Sequence, residues 1–188
     1  FEPNMIIGRS NLFFLKYCHK IFCYTDQINN FPKKYNEKLE LIYPLLRKEI
    51  YSQAKNSKFE FNKKINILIV GGSQGADFLQ NNLKNCMIKL SKNYEIYVNH
   101  QTSQKNYKNL ETFYKENQIK FNLFDFEESL TELIKKTDLC ITRSGASSLA
   151  ELVYLNVPFI TIPFPYAKDN HQFYNGNFYK NKNCCWLL

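Results

Sequence analysis

The stretch Ile65-Asn66-Ile67-Leu68-Ile69-Val70-Gly71-Gly72-Ser73-Gln74-Gly75-Ala76 decides the fold of this 188-residue chain. An apolar, β-branched run enters a glycine turn, and beyond it Leu79, Leu83, Met87 and Leu90 recur at helical spacing on one face. Strand, glycine turn and helix in that order make one βα unit. Outward from it the pattern repeats. Strand-like runs at 65–70, 95–99, 120–124, 139–142 and 157–162 alternate with helical stretches at 76–90, 104–117, 129–136 and 147–155. That alternation predicts an α/β domain with a parallel sheet flanked by helices.

Upstream the reading is coarser. Residues 12–18 suit a short helix, 21–25 and 39–43 suit strands, and 47–64 is polar and weakly periodic, as a linker is. The expected division is therefore a partial domain over 1–46, a linker over 47–64 and the α/β domain over 65–188. Residues 184–188 read as one more strand, cut short. No initiator methionine or leader precedes Phe1, so the chain is expected to begin inside a longer protein. The longest apolar runs are about four residues, against the ~18 that a membrane span needs.

The 25 basic and 17 acidic residues give a net charge of +8. Of the basic side chains 22 are Lys and only three are Arg, and the lysines are scattered, so no phosphate-tracking stripe forms and nucleic-acid binding is not expected. Six cysteines show neither CxxC nor zinc spacing; free thiols and no metal site are expected.

Four of the six glycines, Gly71, Gly72, Gly75 and Gly145, fall in two segments, and Pro158, Pro163 and Pro165 fall in a third. The first is the turn already quoted. Free N–H groups at such a helix start suit a phosphate; the alternative is a glycine cap with nothing bound. There is no Walker Gly-Lys-Ser/Thr ending and no GxGxxG spacing. The second, Arg143-Ser144-Gly145-Ala146-Ser147-Ser148-Leu149-Ala150-Glu151, follows another strand. Its Glu151 is expected outside the apolar stripe of Leu149, Leu152 and Val153, either accepting a ribose diol or simply facing solvent. The third, Pro163 to Asn175, places Asp169, Gln172 and Asn175 at i, i+3 and i+6, an expected face of hydroxyl-reading groups. Asp125-Phe126-Glu127 faintly matches an acidic metal motif, but acids ahead of a helix serve its dipole.

Gly71-Gly72-Ser73-Gln74-Gly75-Ala76, Arg143 to Glu151, and Pro163-Phe164-Pro165-Tyr166-Ala167-Lys168-Asp169-Asn170-His171-Gln172 together resemble the MurG family of N-acetylglucosaminyltransferases. The start, Glu2-Pro3-Asn4 with Gly8 and Asn11, is similar to a stretch near the end of that family's N-terminal domain. The resemblance implies a GT-B fold of two Rossmann-like domains. It also implies transfer of N-acetylglucosamine from UDP-N-acetylglucosamine to an undecaprenyl-diphosphate-linked muramoyl pentapeptide, with inversion and without a cofactor.

By resemblance, Ser73, Gln74 and Gly75 meet the diphosphate, and Phe126 and Glu127 lie at uracil. Arg143, Ser144, Gly145, Ala146, Ser147, Ser148, Leu149, Ala150 and Glu151 line the nucleotide, with Glu151 at the ribose. Asp169, His171, Gln172 and Asn175 face the sugar, Asn4 approaches it from the other domain, and Arg47 lies near the phosphates. Tyr43-Pro44-Leu45-Leu46-Arg47 departs from the family's Gly-Asn-Pro-Val-Arg, and Phe1 stands where His is common. His100-Gln101 matches a family His-Gln at a strand end. The catalytic base and the membrane-facing surface are expected in an N-terminal half outside this chain. The whole enzyme is thus expected on the cytoplasmic face of the membrane as a peripheral protein, and residues 1–188 alone are expected to be inactive. A split transferase and a UDP-N-acetylglucosamine 2-epimerase remain open alternatives.

Overall fold

The computed structural model describes residues 1–51 and 64–188, and within its long helix the side chains of residues 73–77 also stand outside the description. The expected linker over 47–64 therefore lies largely outside the described residues.

Six parallel strands form the main sheet: β3 (Lys64–Val70), β4 (Glu95–Gln101), β5 (Lys120–Phe124), β6 (Leu139–Thr142), β7 (Phe159–Thr161) and β8 (Cys185–Leu187), in the order β5-β4-β3-β6-β7-β8. Between them run α3 (Gly72–Ser91), α4 (Tyr107–Glu116), α5 (Leu130–Lys135), α6 (Ala146–Tyr154) and α7 (His171–Asn181). Alternate residues feed opposite faces. Ile67, Ile69, Val98 and Ile141 pack with Leu79 and Met87 of α3 and Leu110 and Tyr114 of α4. Leu68, Cys140 and Phe159 pack with Ile134 of α5, Leu149 and Leu152 of α6 and Tyr179 of α7. Both faces are buried, as a parallel sheet requires.

Upstream, α1 (Arg9–Phe14) precedes a two-stranded parallel sheet of β1 (Ile21–Cys23) and β2 (Leu39–Leu41), with its own core of Ile7, Leu15, Ile21, Cys23 and Ile28. A short helix α2 (Lys48–Tyr51) occupies the start of the expected linker, because Ile50 is wholly buried against Leu68 and its neighbours. A single helical turn is too short to show a periodicity, which is why the sequence hid it. The helix expected at 12–18 starts earlier, where the Leu12 N–H donates to the Gly8 carbonyl.

β4 runs two residues past the expected 95–99, and His100 and Gln101 pair with Leu123 and Phe124 of β5. His100 is 1% exposed, its Nδ1 is 2.8 Å from the Tyr114 hydroxyl, and its Nε2 has no partner among the described residues. Burial pushes its pKa down to about 3 and raises that of Tyr114. The unfolded chain therefore takes up a proton, near pH 6.5, that the folded chain refuses. The stability from this residue is complete above about pH 6.5 and is lost as pH falls toward about 3, by up to about 1.4 kcal/mol per pH unit. Melting curves from pH 7.5 to 4.5 should fall less steeply for His100→Gln than for the parent; parallel declines would assign the acid sensitivity elsewhere.

Gly176 lets α7 approach the sheet. A Cβ there would lie 2.8 Å from Leu187 Cδ1, 3.1 Å from Ser144 Oγ and 3.2 Å from Thr161 Cγ2. Gly176→Ala should cost about 1–3 kcal/mol in denaturant unfolding by overpacking. An unchanged midpoint would mean that α7 shifts freely.

Candidate functional site

All six strands point the same way, so the loops after β3, β4, β5, β6 and β7 share one rim. The connections diverge between β3 and β6, the switch point where open α/β sheets leave a crevice. Two helices start beside it. α3 is preceded by Gly71 and opens with Gly72 at φ +65°, and α6 is preceded by Gly145. Neither N-cap residue carries a side-chain acceptor, and neither first turn contains an acidic residue. Two positive helix ends thus face the rim without an internal counter-charge.

The loop after β6 is wired inward. Arg143, 6% exposed, donates from Nη1 to the carbonyls of Ile162 and Pro163 at 3.0 Å each, and its guanidinium lies 4.6 Å from the Phe78 ring and 5.5 Å from that of Phe164. Its Nε and Nη2 are buried without partners among the described residues, and burial lowers its pKa. The Ser144 hydroxyl lies 2.7 Å from Thr161 Oγ1. Asn175 of α7 is fully buried: its Oδ1 accepts the Met5 N–H at 2.9 Å, and its Nδ2 donates to Asn4 Oδ1 and to the Ser144 carbonyl. One amide thus joins α7, the β6 loop and the N-terminal segment.

Two ion pairs repeat that joint. Arg47 Nε and Nη2 donate to Glu151 Oε1 and Oε2 at 2.9 and 2.8 Å. Arg9 forks onto Asp169, which holds the carboxyl below its ordinary range and the guanidinium above its own. The N-terminal turn is organised by Glu2, 2% exposed, whose carboxylate accepts the N–H groups of Asn4 and Gly8 and the side-chain amides of Asn4 and Asn11.

Several expectations change. Glu151 does not stand outside the buried stripe: it is 8% exposed and ion-paired, whereas Val153 is 36% exposed. The reason is that Arg47, distant in sequence, covers that side of α6 and satisfies the carboxylate. Asp169, Gln172 and Asn175 do not share a helix face. Asp169 and Asn170 sit at φ +54° and +55° ahead of α7, Gln172 Oε1 accepts the Phe164 N–H at 2.8 Å, and Asn175 is enclosed. Ala146, Leu149 and Ala150 are buried, while Ser147 and Ser148 face outward. Phe126 is 81% exposed on the rim, and Glu127 Oε1 accepts the Ser129 N–H at 2.9 Å, at the entry to α5. His171 Nδ1 is 2.8 Å from the Lys168 carbonyl. The side chains of Ser73 and Gln74 lie outside the description, as do the surroundings of Gly75. Among the described residues no group of three or more His, Cys, Asp or Glu side chains is arranged to hold a metal ion.

The model of the glycosyltransferase family 28 C-terminal domain matches residues 66–188. The UDP-N-acetylglucosamine–N-acetylmuramyl-(pentapeptide) pyrophosphoryl-undecaprenol N-acetylglucosamine transferase of Pelagibacter ubique is 47% identical over the whole of this chain, which covers 52% of that protein. A protein of the same name from Wolbachia sp. subsp. Drosophila simulans is 33% identical, with 53% of it covered. The chain spans about half the length of the curated relatives it matches. In fold it resembles the crystal structure of Acinetobacter baumannii MurG, with a TM-score of 0.78 at 23% identity over the whole of this chain and 52% of that one.

The Arg47–Glu151 pair makes a testable contribution to stability. Arg47→Ala strands a carboxylate that is 8% exposed and should cost about 1–3 kcal/mol in denaturant unfolding, whereas Glu151→Gln, which keeps one acceptor oxygen, should cost less. Full stability in both variants would show that the pair does not form in solution.

Proposed function

The chain belongs to the glycosyltransferase family 28 C-terminal domain family, and from that premise we propose that it is the donor-binding half of an inverting N-acetylglucosaminyltransferase. The observation that carries this reading is the pair of glycine-capped helix starts of α3 and α6, free of acidic residues, on either side of the switch point. Helix starts of this kind suit phosphate oxygens, and a diphosphate offers two such groups.

In this reading UDP-N-acetylglucosamine lies along the rim. Its diphosphate meets the first turn of α3 at Ser73, Gln74 and Gly75, its uracil meets the backbone about Phe126 and Glu127, and its ribose meets Glu151. Arg47 occupies one lone pair on each Glu151 oxygen, which leaves a second on each for the two ribose hydroxyls. Gln172 and the loop from Pro163 stand nearest the sugar, with Asn4 approaching from the N-terminal segment. The C4 hydroxyl of the lipid-linked muramoyl peptide attacks the anomeric carbon from the face opposite the diphosphate. As the new C–O bond forms, the bond to the phosphate oxygen breaks and UDP leaves. The helix N–H groups stabilise the charge that develops on the leaving diphosphate. The hydroxyl proton passes to a base in the half that the curated relatives carry beyond this match.

Membrane attachment is assigned to that other half, which places the enzyme peripherally at the cytoplasmic face. No helix among the described residues is long and apolar enough to cross a membrane.

Calorimetry on the 188-residue chain should show UDP-N-acetylglucosamine binding more tightly than UDP-glucose or ADP-glucose, with Glu151→Gln weakening it by about 1–3 kcal/mol. Equal binding of ADP-glucose would remove the uridine assignment, and undiminished binding by Glu151→Gln would remove the ribose contact.

A further inference from the structure

Gln101 closes β4, the strand between β3 and β5, and its side chain reaches both neighbours' loops. Its Oε1 accepts the Gly72 N–H at 3.0 Å, and its Nε2 donates to the Asp125 carbonyl at 3.1 Å. Gly72 opens the phosphate-facing turn, and Asp125 immediately precedes the base-facing pair Phe126 and Glu127. Only one orientation of the amide makes both bonds, since the flipped group would set N–H against N–H and oxygen against oxygen. The strand end is itself held: the Thr102 hydroxyl donates to Gln80 Oε1 of α3 at 3.0 Å, and the Thr102 N–H donates to the Phe124 carbonyl at 2.8 Å.

We propose that Gln101 is a positioning residue that fixes the spacing between the phosphate-facing and base-facing loops, so that nucleoside and diphosphate bind as one unit. The inference rests on the nucleotide-sugar reading above. Gln101 directs its oxygen to the backbone of one loop and an amide N–H to the backbone of the other, so its action on the donor runs through the two loops it joins. A ligand that engages one loop gains little from their fixed separation. A ligand that spans both otherwise has to align them, and that ordering cost is what a preformed brace removes.

The test is NMR titration of the 188-residue chain with UDP, uridine and inorganic pyrophosphate, since this method reads millimolar affinities. Gln101→Ala should weaken UDP about tenfold and each single-loop ligand less than threefold. Gln101→Met, which keeps the side chain's length and loses both polar bonds, should give the same pattern and guards against a packing defect in the alanine variant. Uridine or pyrophosphate weakened as much as UDP would reduce Gln101 to a support for one loop and overturn the proposal. Unchanged UDP binding in both variants, with the parent binding UDP, would overturn it alone. A parent that binds no UDP would overturn the nucleotide reading and this inference together.

Discussion

Parallel strands release the chain at one rim only, and most of this structure follows from that restriction. Each loop after β3, β4, β5, β6 and β7 must turn above the same edge of the sheet, so polar groups drawn from a hundred residues converge there whatever else the sequence encodes. The reversal between β3 and β6 keeps their connections apart and opens the crevice. Residues at such an edge have two ways to be satisfied, by one another or by something bound. Ser144 and Asn175 take the first course, and Arg143 takes it through Nη1 alone. The starts of α3 and α6 have glycine caps that offer no side-chain acceptor of their own, and the Gly72 N–H is met from the neighbouring strand by Gln101 Oε1.

The fold was readable because its signals are local. Ile65 to Val70 needs only its own composition to declare a buried strand, and the glycines after it need only the turn they make. What escaped were residues whose partners lie far along the chain. Glu151 counted as exposed on a helical wheel because the wheel contains no Arg47, 104 positions away. Asn175 seemed available to a sugar because nothing near it in sequence announces Met5. Gln101 followed an apolar strand with three polar residues in a row, a pattern that ends a strand in water but continues one when a neighbouring strand and a tyrosine receive them. Glu2 offered a signal after all: an acid followed by Asn4, Gly8 and Asn11 is the composition of a turn folded about one carboxylate.

The three arginines illustrate how composition can be informative by scarcity. In a chain that meets its charge requirement with 22 lysines, each arginine occupies a place where a planar fork or a stacked face is used: on Asp169, on Glu151, and between Phe78 and Phe164. A lysine at any of these would keep the charge and lose the geometry. The scattered lysines carry no such demand.

The joint between the N-terminal segment and the parallel sheet therefore combines fastenings of two kinds. Asn175 is neutral and enclosed, while Arg9–Asp169 and Arg47–Glu151 are ionic and reach solvent. Acid loosens the Arg9 fastening only at a pH below the already depressed range of Asp169, so that fastening is blind to protons across neutral conditions. Dissolved ions act differently, because counter-charges within about 8 Å at physiological strength screen exposed pairs and leave a buried amide untouched. Rising ionic strength thus weakens the exposed Arg9–Asp169 fastening first, while the part-buried Arg47–Glu151 pair and the enclosed Asn175 keep the seam together.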